Sequence, residues 1–89
     1  MFEEAFNYYK EGAIIIDVRT EGEYLDSNIK ESVNIPLDKL SNAIKKKVND
    51  PNKIILVHCA SGNRSASAVS ILNKLGYKRV YNIGGFGNA

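Results

Sequence analysis

Apolar positions recur along this chain at two periods, and the alternation between those periods predicts the architecture. Phe2, Ala5, Phe6 and Tyr9 share one face at helical spacing, and Gly12 is placed to stop that helix. Ala13-Ile14-Ile15-Ile16-Asp17-Val18 is then almost continuously apolar, the mark of a strand covered on both faces. Thr20-Glu21-Gly22-Glu23 has the capping-box pattern, which predicts a short helix holding Tyr24 and Leu25. Ser27-Asn28 reads as a turn, and Val33-Asn34-Ile35 as a short strand closed by Pro36. Leu37, Leu40, Ile44 and Val48 form the stripe of a second amphipathic helix, with Asp38 placed to cap it. Asp50-Pro51-Asn52 breaks that helix and hands the chain to a strand running from Lys53 to Val57. From Ser65 onward a further helix is expected to turn Val69, Leu72 and Leu75 inward and to stop at Gly76. Arg79-Val80-Tyr81-Asn82 is the last short strand, and Ile83-Gly84-Gly85-Phe86-Gly87 reads as a glycine-rich tail. Short apolar strands alternating with helices predict an α/β fold, a parallel sheet of four to five strands between helical layers. Active groups are then expected at the C-terminal ends of the strands.

Composition narrows the function classes. Eighty-nine residues that are 44% hydrophobic and 25% charged make one small globular domain over residues 1–89. A formal charge of +2 is too small to indicate nucleic acid, and Lys45-Lys46-Lys47 reads as a solvated helix face. No segment is long enough to cross a bilayer, and the acidic start Met1-Phe2-Glu3-Glu4 does not resemble a secretory signal. The one cysteine cannot form an internal disulfide, so a reducing, cytoplasmic location is expected. One cysteine beside one histidine cannot build a metal shell, and no nucleotide-binding motif is present, so no metal and no cofactor is expected.

That cysteine is where the chemistry concentrates. Cys59 follows the apolar run Ile54-Ile55-Leu56-Val57 and precedes a helix, so it sits in a strand-to-helix loop. Backbone N–H groups in such a loop can converge on an anion, reinforced by the positive end of the helix dipole. An isolated cysteine is more often an inert, buried small residue; this position instead suits a reactive thiolate.

Two separate stretches carry a family resemblance. Ile16-Asp17-Val18-Arg19-Thr20 with Glu23-Tyr24 and Val33-Asn34-Ile35-Pro36-Leu37 resembles the N-terminal signature of rhodanese (sulfurtransferase) domains, the single-domain bacterial type in particular. Cys59-Ala60-Ser61-Gly62-Asn63-Arg64-Ser65 resembles their active-site loop, and Leu75-Gly76-Tyr77 and Tyr81-Asn82-Ile83-Gly84-Gly85-Phe86 resemble the closing segments. Asn28 stands where the family usually carries a histidine between glycines, and the sheet is expected to be one strand short, with an open edge. The resemblance implies a rhodanese-like three-layer domain and a thiosulfate sulfurtransferase that moves a sulfane sulfur through a Cys59 persulfide. Its partners would be a small anionic donor and a thiophilic acceptor such as cyanide or a thiol, or a protein sulfur donor or acceptor.

Each loop residue has a physical reason to serve that chemistry. A free thiol has a pKa near ~8.5, so the site must favour the anion. Gly62 can adopt backbone angles closed to other residues and keep its N–H by the sulfur. Ala60 and Ser61 are small and are expected to leave the sulfur accessible. Ser61 and Asn63 can hydrogen-bond an oxyanion, and Arg64 can pair with a sulfonate or thiosulfate oxygen. Ser65 can either cap the helix or bond within the loop. His58 points to the face opposite Cys59 and reads as a packing residue rather than a base. Asp17 and Arg19, at the end of a neighbouring strand, can pair with each other, with Glu23 or with Arg64, and are expected to support the rim.

Three alternatives remain at this point. A cysteine-dependent phosphatase or arsenate reductase also uses a thiolate, a ring of N–H groups and an arginine. Such loops place five residues between cysteine and arginine, whereas here Ala60, Ser61, Gly62 and Asn63 are the only ones between Cys59 and Arg64. The shorter loop suits one added sulfur atom. A regulatory binding module of the same fold would commonly lack the cysteine. A persulfide carrier would keep it, and residues alone do not separate carrier from free-standing enzyme.

Overall fold

The computed structural model describes residues 7 and 10–85. The stripe Phe2, Ala5, Phe6 and Tyr9 and the tail residues Phe86 and Gly87 lie outside the described residues. Residues 7 and 10 are helical. Among the described residues four strands, β1 (Ile14–Asp17), β2 (Ser32–Asn34), β3 (Ile54–Cys59) and β4 (Arg79–Gly85), form one parallel sheet in the order β2-β1-β3-β4. The apolar run in β3 explains its central place: all six of its residues are buried. The chain leaves β1 toward one edge and β3 toward the other, so the order reverses between them. This switch point sets the C-terminal ends of β1 and β3 side by side, where Asp17 and Cys59 lie.

Helix α1 (Glu21–Asp26) begins as its capping box predicts. Thr20 Oγ1 accepts from the Glu23 N–H, and Glu23 accepts in return from the Thr20 N–H. Helix α2 (Leu40–Lys47) is preceded by a 3-10 turn over Leu37–Lys39. Asp38 does not cap it, contrary to expectation. It lies inside that turn, and Lys39 takes the cap position without a side-chain bond. The Lys45-Lys46-Lys47 run is exposed, as read. Helix α3 (Asn63–Lys74) starts two residues earlier than predicted. Its fully buried line is Ser65, Ala68 and Leu72, whereas Val69 and Leu75 are only half-buried. The small side chains at 65 and 68 let α3 lie close to β3.

Alternation along the strands sorts the core. Ile16, Ile55 and Val57 pack with Leu40, Ile44 and Leu72 on the face covered by α2 and α3, and Cys59 shares that face. Ile15, Leu56 and Ile83 pack together on the other. The supposed tail is a second correction. Ile83, Gly84 and Gly85 continue β4 beside His58 and Cys59, past a one-residue shift in register: Val57 pairs with Asn82, but His58 pairs with Gly84. The extra residue is a bulge, which bends the strand end. Gly84, with φ +91°, supplies the backbone freedom this needs.

Candidate active site

Cys59 is the last residue of β3, and the chain turns immediately so that its own loop closes over the sulfur. Gly62 takes φ +94°, a conformation that L side chains rarely adopt, and this aims its N–H back at Cys59 Sγ at 2.9 Å. The Ser65 N–H, in the first turn of α3, reaches the same sulfur at 3.3 Å, and Ser65 Oγ lies 3.4 Å away. Burial pushes the thiol pKa up. The Ser65 hydroxyl and the N–H groups of Ser65, Gly62 and Ser61 outweigh burial and hold it below the ordinary thiol value.

Ser65 is not a cap, since Gly62 occupies that position. Its hydroxyl bonds within the loop, to Gly62 O at 3.0 Å and to Asn82 Oδ1 at 2.7 Å. Asn82 completes the clasp from β4. Its Oδ1 accepts from Gly84 N–H at 2.8 Å, and its Nδ2 donates to Gly62 O at 3.2 Å. The single hydroxyl proton of Ser65 is therefore shared among three acceptors: a carbonyl, an amide oxygen and the sulfur. Asn82 was not identified from sequence as a site residue. The only signal for it was its place in the closing segment, one residue short of the glycine pair Gly84-Gly85.

The sulfur is not open to solvent as expected. Ala60 and Ser61 are exposed, but Cys59 is 0% exposed. Its side chain points under α3, and the N–H donors that stabilise it also cover it. Asn63 is exposed on the first turn of α3, its N–H 3.5 Å from Ser61 Oγ.

On the opposite face lies a buried ion pair. Arg19 Nε donates to Asp17 Oδ1 and Oδ2 at 3.1 and 3.0 Å, and its Nη2 to Oδ2 at 2.7 Å. The same Nη2 reaches Ser27 O at 2.7 Å, and Asn34 Nδ2 bonds the carbonyls of Asp17 and Arg19 at 3.1 and 3.0 Å. This clamp fixes the loop after β1. His58 is buried beside it, Nε2 3.5 Å from Asp17 Oδ2. Burial pushes the His58 pKa down, against the pull of Asp17 and with the push of Arg19, so the imidazole is neutral at pH 7. It does not face the sulfur. Asn28 Nδ2 donates to Tyr24 O at 2.8 Å and closes the end of α1.

Arg64 reaches away from the loop to α1. Its Nη1 lies 2.6 Å from Glu23 Oε1 and its Nη2 2.9 Å from Oε2. The Arg64 guanidinium and the capping bonds from Thr20 hold the Glu23 carboxyl down at about 2. Thus Asp17 pairs with Arg19, and Glu23 with Arg64, as two separate pairs.

The parallel α/β sheet presents one cysteine at a strand end, under two backbone donors, a geometry that favours an anionic sulfur. The chain belongs to the rhodanese-like domain family, whose profile it matches over residues 2–88. The thiosulfate sulfurtransferase PspE of Escherichia coli is 37% identical over 70 residues, covering 79% of this chain and 67% of that protein. The thiosulfate sulfurtransferase GlpE of Pseudomonas savastanoi is 33% identical over 85 residues, 94% of this chain and 78% of that one. The solved structure of an Escherichia coli rhodanese with anions superposes with a TM-score of 0.82 at 34% identity, covering 86% of this chain and 91% of the other.

Proposed function

We propose that this chain is a sulfurtransferase of the thiosulfate type, working through Cys59 as nucleophile. The observation that carries the reading is the pair of backbone donors on Sγ, Gly62 N–H at 2.9 Å and Ser65 N–H at 3.3 Å. They favour the thiolate over the thiol without a general base, which His58 is not placed to be. The thiolate attacks the outer sulfur of thiosulfate. The new bond is Cys59 Sγ–S, the donor's S–S bond breaks, and sulfite leaves with the electron pair. A thiophile then takes the outer sulfur from the persulfide: cyanide leaves as thiocyanate and the thiolate is restored. Ala60, Ser61 and Asn63 are the exposed part of the loop that a donor meets first, and Asp17 with Arg19 holds the opposite rim in place.

A reactive thiol must be kept reduced, which suits the cytoplasm; among the described residues no helix is long and apolar enough to cross a membrane. The enclosure of Sγ favours a second reading for the physiological partner, a protein that delivers sulfur as a persulfide and opens the loop on docking. Intact-protein mass spectrometry after incubation with thiosulfate tests the first half-reaction. The expected result is a gain of one sulfur atom that cyanide removes and that Cys59→Ser abolishes. A folded protein with free Cys59 and no gain, even at high thiosulfate, would overturn the small-donor reading.

A further inference from the structure

Arg64 stands on the first turn of the helix whose N-terminus faces the sulfur, where a cation would meet an anionic donor. Its guanidinium is already occupied. Both terminal nitrogens bind the two carboxylate oxygens of Glu23, at 2.6 and 2.9 Å, in the fork geometry with which arginine also holds an oxyanion. Glu23 is itself fixed in that pose. Its Oε1 accepts from Thr20 N–H at 3.1 Å and Thr20 Oγ1 at 3.0 Å, so the capping box of α1 aims the carboxylate across the rim. The side chains of Arg64 and Glu23 are 34% and 37% exposed, so a solute anion can reach the pair. Arg64 also lies within electrostatic reach of the Cys59 thiolate.

We propose that Glu23 is a specificity-determining residue, which fills Arg64 with an internal carboxylate and so disfavours dianionic sulfur donors relative to less charged ones. The inference rests on the sulfurtransferase reading above. A donor approaching the rim meets an arginine whose charge Glu23 already neutralises, and the attraction it forgoes grows in proportion to the donor's own charge. A dianion is therefore penalised twice as strongly, on a logarithmic scale, as a monoanion.

Thiosulfate and methanethiosulfonate test this, because both present a sulfane sulfur on a sulfonyl group and carry two charges and one. Attack on the second donor breaks the same S–S bond and releases methanesulfinate. Glu23→Gln removes the charge while keeping a residue that serves at the third position of a capping box. The KM for thiosulfate is expected to fall about tenfold and that for methanethiosulfonate about threefold, with kcat moving less than either. The double variant Glu23→Gln/Arg64→Gln is expected to lose the gain. Should Glu23→Gln fold poorly, Glu23→Asp keeps the charge but withdraws it by one methylene, and a smaller shift in the same direction is expected. Transfer from both donors with an unchanged ratio of KM values would overturn the inference while leaving the sulfurtransferase reading intact. Transfer from neither donor by the folded parent protein would overturn both.

Discussion

Gly62→Ala tests whether one backbone conformation supplies both the shape and the charge of the sulfur site. Gly62 sits at φ +94° and ψ −12°, where an L residue costs about 1–2 kcal/mol. Nothing blocks the added methyl: an ideal Cβ would meet Gly84 Cα at 3.9 Å, an ordinary contact. The whole cost is therefore conformational, and the loop has two ways to respond. It can keep its shape and lose about 1–2 kcal/mol of stability, which lowers Tm by about 4–8 °C per kcal/mol in a domain of this size. Alternatively the peptide rotates, and the 2.9 Å bond from Gly62 N–H to Sγ is lost. A hydrogen bond to a charged group is worth about 1.5–3 kcal/mol, so the thiol pKa then rises by about 1–2 units. Urea unfolding reads the first response, and the pH dependence of iodoacetamide alkylation at Cys59 reads the second. An alanine variant with unchanged stability and an unchanged alkylation profile would refute the reasoning.

Cys59→Ser is expected to abolish transfer while the fold persists, and it also isolates the thiolate's share of stability. The thiol pKa is lower in the folded protein than its ordinary value. Its contribution is thus complete above that ordinary value and is lost as the pH falls through the folded value. Urea midpoints of the parent protein should therefore gain on those of Cys59→Ser as the pH rises through that window, and a constant difference would contradict the donor geometry. Asp17→Asn leaves Arg19, only 4% exposed, without its carboxylate. A loss of about 3–5 kcal/mol is expected by calorimetry, with the sulfur-loading step retained in the protein that remains folded.

What the sequence made legible follows the range of the interactions involved. The capping box at Thr20 and Glu23, the strand through Val57 and the glycine needed at position 62 are local, and each was readable from neighbouring residues. The opposite faces of His58 and Cys59 followed from strand alternation alone. The expected cap at Asp38 failed because the chain tightens into a 3-10 turn there, which shifts the start of α2. Ile83-Gly84-Gly85 looked like a tail because glycine weakens a strand's signature, yet the bulge beside Val57 needs that freedom. Asn82 escaped notice because its role depends on the register of β4 against β3, a nonlocal fact. The partners of Asp17 and Arg19, left open among each other, Glu23 and Arg64, also required the placement of α1 against α3.

The clasp around Cys59 ties reactivity to stability. Gly62 N–H and Ser65 N–H are orphan donors at the start of α3, so the thiolate satisfies the helix as much as the helix satisfies the thiolate. Strengthening these bonds would make the thiolate more abundant at neutral pH. It would also make the sulfur a weaker nucleophile, since intrinsic nucleophilicity falls as thiol pKa falls. A loop that is held, but held through shared and replaceable bonds, avoids either extreme. Ser65 supplies that sharing, because its one proton serves Gly62 O, Asn82 Oδ1 and the sulfur in turn. On the proposed loading, charge would move from Sγ to the outer sulfur, and the hydroxyl would keep a partner in Asn82 Oδ1 at 2.7 Å. On that proposal, the polar clasp from β4 is what would let one buried cysteine carry two charge states within the same fold.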